Sequence, residues 1–293
     1  MAKRTILQPL LLLLFTGHAV ADDVEIGRAL KAKGVDVVEA KGIVAAVTVK
    51  DGSKLTDSDF QQITRLAHLQ TLSLSSCLDD KRLSQLTVLG ELERLATNGA
   101  QITDDGLKPL AQLKNLRTLA FFHPGKAFSG EGLVHLSKLP HFEGLTVAGS
   151  PAFNDLGMAA VARLAGLKEF RTWHAGGTDE GVKRLQSLKN LTSLWLGQRL
   201  THKPPACPTD ETVAILAEMK SLGSLQLDEA RLTYAALLQL KRLPALRRLT
   251  LGGIDISQRD VEQLRQQWPQ VKIGWTPPSD AYQKRIRALF GGN

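Results

Sequence analysis

An apolar strand core returns ten times along this chain at nearly constant spacing, and no other feature limits its folding so tightly. The third apolar position of each signature falls at Val47, Leu72, Leu95, Leu119, Leu145, Phe170, Leu194, Leu225, Leu249 and Val271, with intervals of 25, 23, 24, 26, 25, 24, 31, 24 and 22 residues. A unit this short cannot bury its own apolar face, so neighbouring units must stack to form the core, and the expected product is an elongated α/β solenoid rather than separate lobes.

One passage shows how each unit is built. Leu89, Leu92, Leu95 and Thr97 lead into and form a half-buried strand, Ile102 and Thr103-Asp104-Asp105-Gly106-Leu107 follow, and Leu110 and Leu113 continue at helical spacing. Alternation of period two and then of three to four predicts strand, turn and helix in each coil. Thr56, Thr103, Ser129, Asn154, Thr178, Thr209, Thr233 and Ser257 stand where a short side-chain oxygen can accept a bond from an orphaned helix amide. Asp57, Asp104, Asp155, Asp179 and Asp210 come next, at the positive end of the helix dipole, and capping explains this acidic run more economically than a metal ladder.

With strand signature and Thr-Asp-x-Gly opening together, the chain resembles the leucine-rich repeat superfamily, and is most similar to bacterial secreted members whose helix-containing coils are like the ribonuclease-inhibitor and cysteine-containing classes. The resemblance runs from about Val44 to Trp275. It implies a curved horseshoe of about ten β-α coils, with a parallel sheet on the concave face and helices outside, a non-catalytic binding scaffold and no cofactor. Ten coils at about 4.8 Å per strand give a sheet about 45 Å long. Eukaryotic relatives often carry an F-box, for which Asp22 to Ile43 is too short, and internalin-type coils are shorter than these, so neither role carries over.

The ends read differently from the middle. Lys3 and Arg4, the apolar stretch Ile6 to Phe15 and Ala19-Val20-Ala21 read as a cleaved secretory leader. The expected divisions are a leader over 1–21, an N-terminal cap over 22–43 with a helix and lead-in, the repeat domain over 44–275, and a tail over 276–293. Trp268 to Trp275 reads as the closing strand, Thr276 to Ser279 as a Pro-rich break, and Ala281 to Phe290 as a short basic helix or a frayed tail. A leader implies a secreted or periplasmic protein, with no stable membrane insertion after cleavage and no nucleic acid as partner. Cys77 suits a buried free thiol.

Counting along each strand, alternate residues should face the concavity. Most are small or weakly polar, as at Thr48, Ser73, Ala96, Ala120, Ser75 and Ala148. Phe122, Arg171, Trp173 and Trp195 break that background, with His123 and His174 one residue beyond. Trp and Arg are enriched at binding hot spots and aromatic rings also receive sugars, so these six residues form the candidate ligand patch. The competing account has Phe122 and Trp173 folding over a coil left thin by Gly176 and Gly177.

The longest interval holds an insertion, Gln198 to Pro208, that contains His202 and Cys207. Zinc wants four ligands and a nucleophile a positioned base, so two candidates in a Pro-rich loop favour a plain insertion over a metal or catalytic site. No phosphate loop, Gly-x-Ser-x-Gly elbow or His-Glu-x-x-His motif occurs, which argues against an enzyme. Lys241, Arg242, Arg247, Arg248, Arg259, Arg265, Lys284, Arg285 and Arg287 concentrate positive charge near the end. A protein partner is the first expectation, a glycan or acidic envelope polymer the second, and a self-associating envelope component the third.

Overall fold

The computed structural model describes residues 21–198 and 207–290. One open sheet holds eleven strands in strict sequence order: β1 (Asp36–Ala40), β2 (Ile43–Val49), β3 (Thr71–Ser75), β4 (Arg94–Asn98), β5 (Thr118–Phe122), β6 (Gly144–Ala148), β7 (Glu169–Trp173), β8 (Ser193–Gly197), β9 (Ser224–Asp228), β10 (Arg248–Gly252) and β11 (Lys272–Thr276). From β2 onward each strand is parallel to its neighbours, and β1 returns antiparallel on β2. Ten parallel strands separated by helical segments, each pairing with the next in sequence, form a leucine-rich repeat solenoid.

Register fixes which side chains repeat. Val47, Leu72, Leu95, Leu119, Leu145, Phe170, Leu194, Leu225 and Leu249 lie in one buried row, and the last member is Ile273 rather than Val271. Val271 is buried too, but it enters one position before the strand, where the chain turns in from Trp268 and Pro269. Trp268 belongs to the end of the helix Gln258–Gln267 and is 3% exposed, so the closing strand is shorter than the sequence suggests.

The outer layer is tighter than a row of full helices. α-Helical segments of five to eight residues occupy most coils, but Asp105–Gln112 and Glu131–Lys138 are wholly 3₁₀. Pro109 removes one amide from the first of these, and in the second the amides of Gly130 and Gly132 are already bound to the preceding coil.

The acidic residues after the turn do more than answer a helix dipole. Asp80 accepts from the amide and hydroxyl of Thr103 at 2.9 and 2.7 Å, Asp155 from those of Thr178, and Asp210 from those of Thr233. Asp179 accepts from the hydroxyls of Thr209 and Thr212. Asp104 accepts four times, from the amide and hydroxyl of Ser129 and the amides of Gly130 and Gly132. Each carboxylate therefore ties its coil to the next. The glycine of the motif makes room for it: a Cβ at Gly106 would lie 1.9 Å from Asp80 Oδ1, and one at Gly181 would lie 2.4 Å from Asp155 Oδ1. Asp57 departs from the series and meets Arg82 at 2.5 Å. Capping by Thr56, Asn154, Thr209, Thr233 and Ser257 is present, whereas Thr178 bonds to Asp155 and makes no cap bond. Asp79 caps Asp80–Gln85, a coil in which sequence reading found no cap.

Both ends are closed by added elements. A helix over residues 21–32 buries Ile26 and Leu30 and brings Asp23 to the amide of Val44 at 2.9 Å. At the other end the helix Asp280–Phe290 buries Ile286, and Tyr282 donates to Glu229 Oε1 at 2.7 Å. Among the described residues no helix is long and apolar enough to cross a membrane. Apart from Ala21, the expected leader lies outside the described residues, as do His202 and the centre of the insertion.

Candidate functional site

The first, third and fifth residues of each strand from β3 to β11 face away from the core, and register sorts them into three rows across the wall. The third-position row reads Ser73, Ala96, Ala120, Thr146, Arg171, Trp195, Gln226, Thr250 and Gly274. The fifth-position row reads Ser75, Asn98, Phe122, Ala148, Trp173, Gly197, Asp228, Gly252 and Thr276.

Large and small residues alternate there in a way that assembles the rings. Trp173 and Trp195 stack with centroids 4.2 Å apart and planes 17° from parallel, and Phe122 lies 6.0 Å from Trp173 at a tilt of 57°. Trp195 starts from the third-position row, yet its indole passes beside Gly197: a Cβ there would lie 3.7 Å from Trp195 Nε1, an ordinary contact, and 3.0 and 3.1 Å from the Cβ atoms of Trp173 and Asp228. Trp195 Nε1 donates to Asp228 Oδ2 at 2.5 Å. Gln226 Nε2 donates to both oxygens of the same carboxylate, at 3.1 and 2.9 Å. Burial pushes the Asp228 carboxyl above its ordinary range, against the opposing pull of these two donors.

Arg171 is exposed and donates from Nε to Glu169 Oε1 at 2.5 Å. His123 and His174 follow their strands in the left-handed region, with φ of 49° and 52°. Gly99, Gly149 and Gly253 hold the corresponding place in other coils, so a histidine there costs on the order of 1 kcal/mol. The amide of that residue donates to the last carbonyl of the next strand, as His123 does to Ala148 at 2.8 Å and His174 to Gly197 at 3.1 Å. His123 lies across Gly149 with Nδ1 3.0 Å from Asn98 Oδ1, while His174 Nε2 lies 3.6 Å from Glu229 Oε1. A shallow, mainly apolar depression of about 450 Å³ opens beside His123, lined by Pro124, Lys126, Ser150, Pro151 and Ala152.

Phe122, Trp173 and Trp195 thus form one group, with Arg171 beside them and the two histidines at the rim. Sequence reasoning passed over Asp228, Gln226 and Gly197 as members of this group. Their signal was the coincidence of a glycine and an acid in the row beside two tryptophans.

Cys207 contributes to the coil that Gly176 and Gly177 leave thin, beside a small cavity. Its thiol is buried, donates to Gly177 O at 3.3 Å and packs near Phe153, Met158 and Leu196. Burial pushes its pKa up to about 12, so it supplies no thiolate near neutrality. Cys77 is also buried and free. Among the described residues no three His, Cys, Asp or Glu side chains converge as a metal site.

No protein-family model matches this chain, and no curated protein matches it. Among solved structures it is similar to internalin C2 of Listeria monocytogenes, at 18% identity over 88% of this chain and 92% of that one, with a TM-score of 0.45. It is also similar to an internalin (InlF) of the same organism, at 17% identity over 93% and 94%, with a TM-score of 0.43.

Proposed function

We propose that this chain is a non-enzymatic scaffold that captures a protein partner on its concave wall, at Phe122, His123, Arg171, Trp173, His174 and Trp195. The observation that carries this reading is the partly exposed ring series on an otherwise small and polar wall. Its geometry is supported by the stack of Trp173 on Trp195 and by the bond from Trp195 to Asp228. Rings held in place before binding lose little side-chain entropy when a partner arrives, which is what gives such residues their weight at interfaces.

Protein is favoured over glycan because stacking turns one face of each indole against the other, and Phe122 approaches Trp173 from another side. A sugar needs an open ring face, whereas a polypeptide uses ring edges, the neighbouring hydroxyls and Arg171 equally well. The leader read in residues 1–21 supports capture outside the cytoplasm, in the periplasm or beyond, by a chain that neither binds nucleic acid nor stays inserted in a membrane.

Affinity capture from a native envelope extract with the chain lacking its leader tests the reading. A protein retained by the parent and lost by Trp173→Ala/Trp195→Ala, with an unchanged denaturation midpoint, supports it. Equal retention by both forms, or retention of glycan alone, rejects it.

A further inference from the structure

Charge is segregated along the solenoid. Residues 22–228 carry 24 basic and 24 acidic side chains, whereas residues 229–290 carry 11 basic and 5 acidic ones. All net charge beyond the leader therefore sits in the last two coils and the closing helix.

On the strands the difference is sharper still. Lys50, just after β2, meets Asp36 at 2.7 Å, Arg94 on β4 meets Glu93 at 3.0 Å, and Arg171 on β7 meets Glu169, so these three basic residues on or next to the earlier strands have acidic partners. Arg248 and Lys272 open β10 and β11, face one another directly in register, are both exposed, and have no ion-pair partner among the described residues. Like charges opposed across neighbouring strands destabilise a sheet, and folding offers no compensation for this pair. The closing helix adds Lys284, Arg285 and Arg287 to the same end.

We propose that Arg248 and Lys272 receive the acidic part of an extended polypeptide whose apolar part lies on Phe122, Trp173 and Trp195. The inference rests on the concave-wall reading and names the chemistry of its partner. β10 and β11 lie two and three strands beyond β8, or about 10 and 14 Å from Trp195. An extended chain crosses that distance in roughly three to four residues. Ser193, Ser224, Gln226 and Thr250 occupy the intervening outward positions and offer hydrogen bonds to a peptide backbone. A uniformly anionic polymer fits less well, because Glu169 and Asp228 stand on the same wall beside the rings. A peptide with carboxylates at one end places charge only where the wall lacks it.

The test uses fluorescein-labelled dodecapeptides and anisotropy on the chain without its leader. One peptide carries a Phe-Leu pair followed after three residues by Asp-Glu-Glu, a second has Asn-Gln-Gln in place of the acids, and a third keeps the acids but has Ser-Ser for the apolar pair. Dextran sulfate serves as the polymer control. The expected result is binding of the first peptide about three- to ten-fold tighter than the second at low salt, a gap that closes near 0.5 M salt. Arg248→Glu/Lys272→Glu should abolish the gap without weakening the second peptide, and Arg248→Gln/Lys272→Gln should do the same with less disturbance of the sheet.

Equal binding of the first two peptides, a gap that survives both double variants, or no binding by any peptide overturns the inference. So does dextran sulfate binding that depends on this pair while the acidic peptides fail. Trp195→Ala separates the two readings. Loss of the second peptide with no charge preference in the parent leaves the aromatic wall standing and removes the acidic partner. A charge preference unaffected by Trp195→Ala, with the third peptide binding as well as the first, retains the basic row and removes the aromatic site.

Discussion

The turns on the outer side and the wall on the inner side are built from the same coils but obey different rules. On the outer side, Asp80, Asp104, Asp155, Asp179 and Asp210 repeat one job, bonding to the Thr or Ser of the coil that follows. Inside, no two coils present the same side chains: Ala120, Thr146, Arg171, Trp195 and Gln226 are successive members of one row. Where folding constrains a position, the repeat is kept. Where it does not, the repeat is free to vary, and a departure such as the paired tryptophans needs another explanation.

Asp104→Ala should break the outer rule most severely. Four donors lose one acceptor, and those that remain part-buried keep their desolvation cost, so stability should fall by about 3 kcal/mol. Urea denaturation followed by circular dichroism measures this. A loss below about 1 kcal/mol would mean that the inter-coil bonds are incidental to stacking.

Trp195→Ala should do the reverse, removing about 2 kcal/mol from partner binding, or some thirty-fold in affinity, at little cost in stability. The measurements are titration against the captured partner and urea denaturation of the same sample. If stability falls as far as it does in Asp104→Ala, the wall obeys the outer rule after all and its rings belong to the fold.

A pair of glycines sharpens the contrast further. Gly106→Ala forces a methyl group to 1.9 Å from the Asp80 carboxylate and should cost about 2 kcal/mol by displacing its bonds to Thr103. Gly197→Ala meets the Cβ atoms of Trp173 and Asp228 at 3.0 and 3.1 Å, so a shift of a few tenths of an ångström accommodates it for about 1 kcal/mol. Its clearer effect should be optical, since displacing Trp173 relative to Trp195 alters the tryptophan emission. Unchanged emission would show that Gly197 does not set the stack.

These differences explain how much could be read from sequence. Coil number and register were legible because Leu72, Leu95, Leu119 and their equivalents must all be buried, and only at β11 did Val271 mislead, since the chain enters that strand through Pro269 without the usual preceding leucine. The outward set was legible from alternation alone. The job of the outer aspartates was not, because the oxygen they bond lies about one coil further along the chain, and a cap and an inter-coil tie call for the same residue types. Nor could the indole of Trp195 be placed from its row, as it turns toward the carboxylate of Asp228 one coil beyond.

Protonation provides the smallest and most selective contrast. Asp57 and Asp59 have their carboxyls held below the ordinary range, the first chiefly by its bond from Arg82 and the second by that from Lys33, so what they contribute is lost as pH falls through their folded pKa values. Asp228 has the opposite sign. Burial raises its folded pKa, so between its unfolded and folded values the native state holds the extra proton, and stability declines as pH rises through that window and stays lower above it. Asp228→Asn keeps an oxygen for Trp195 Nε1 while removing the buried charge. At pH 7 the variant should equal or slightly exceed the parent in urea, and its advantage should shrink as both are taken to pH 4, although each loses stability there through the outer acids. An advantage that grows on acidification would mean that the bonds from Trp195 and Gln226 outweigh burial, making Asp228 an anion that the wall is built to hold.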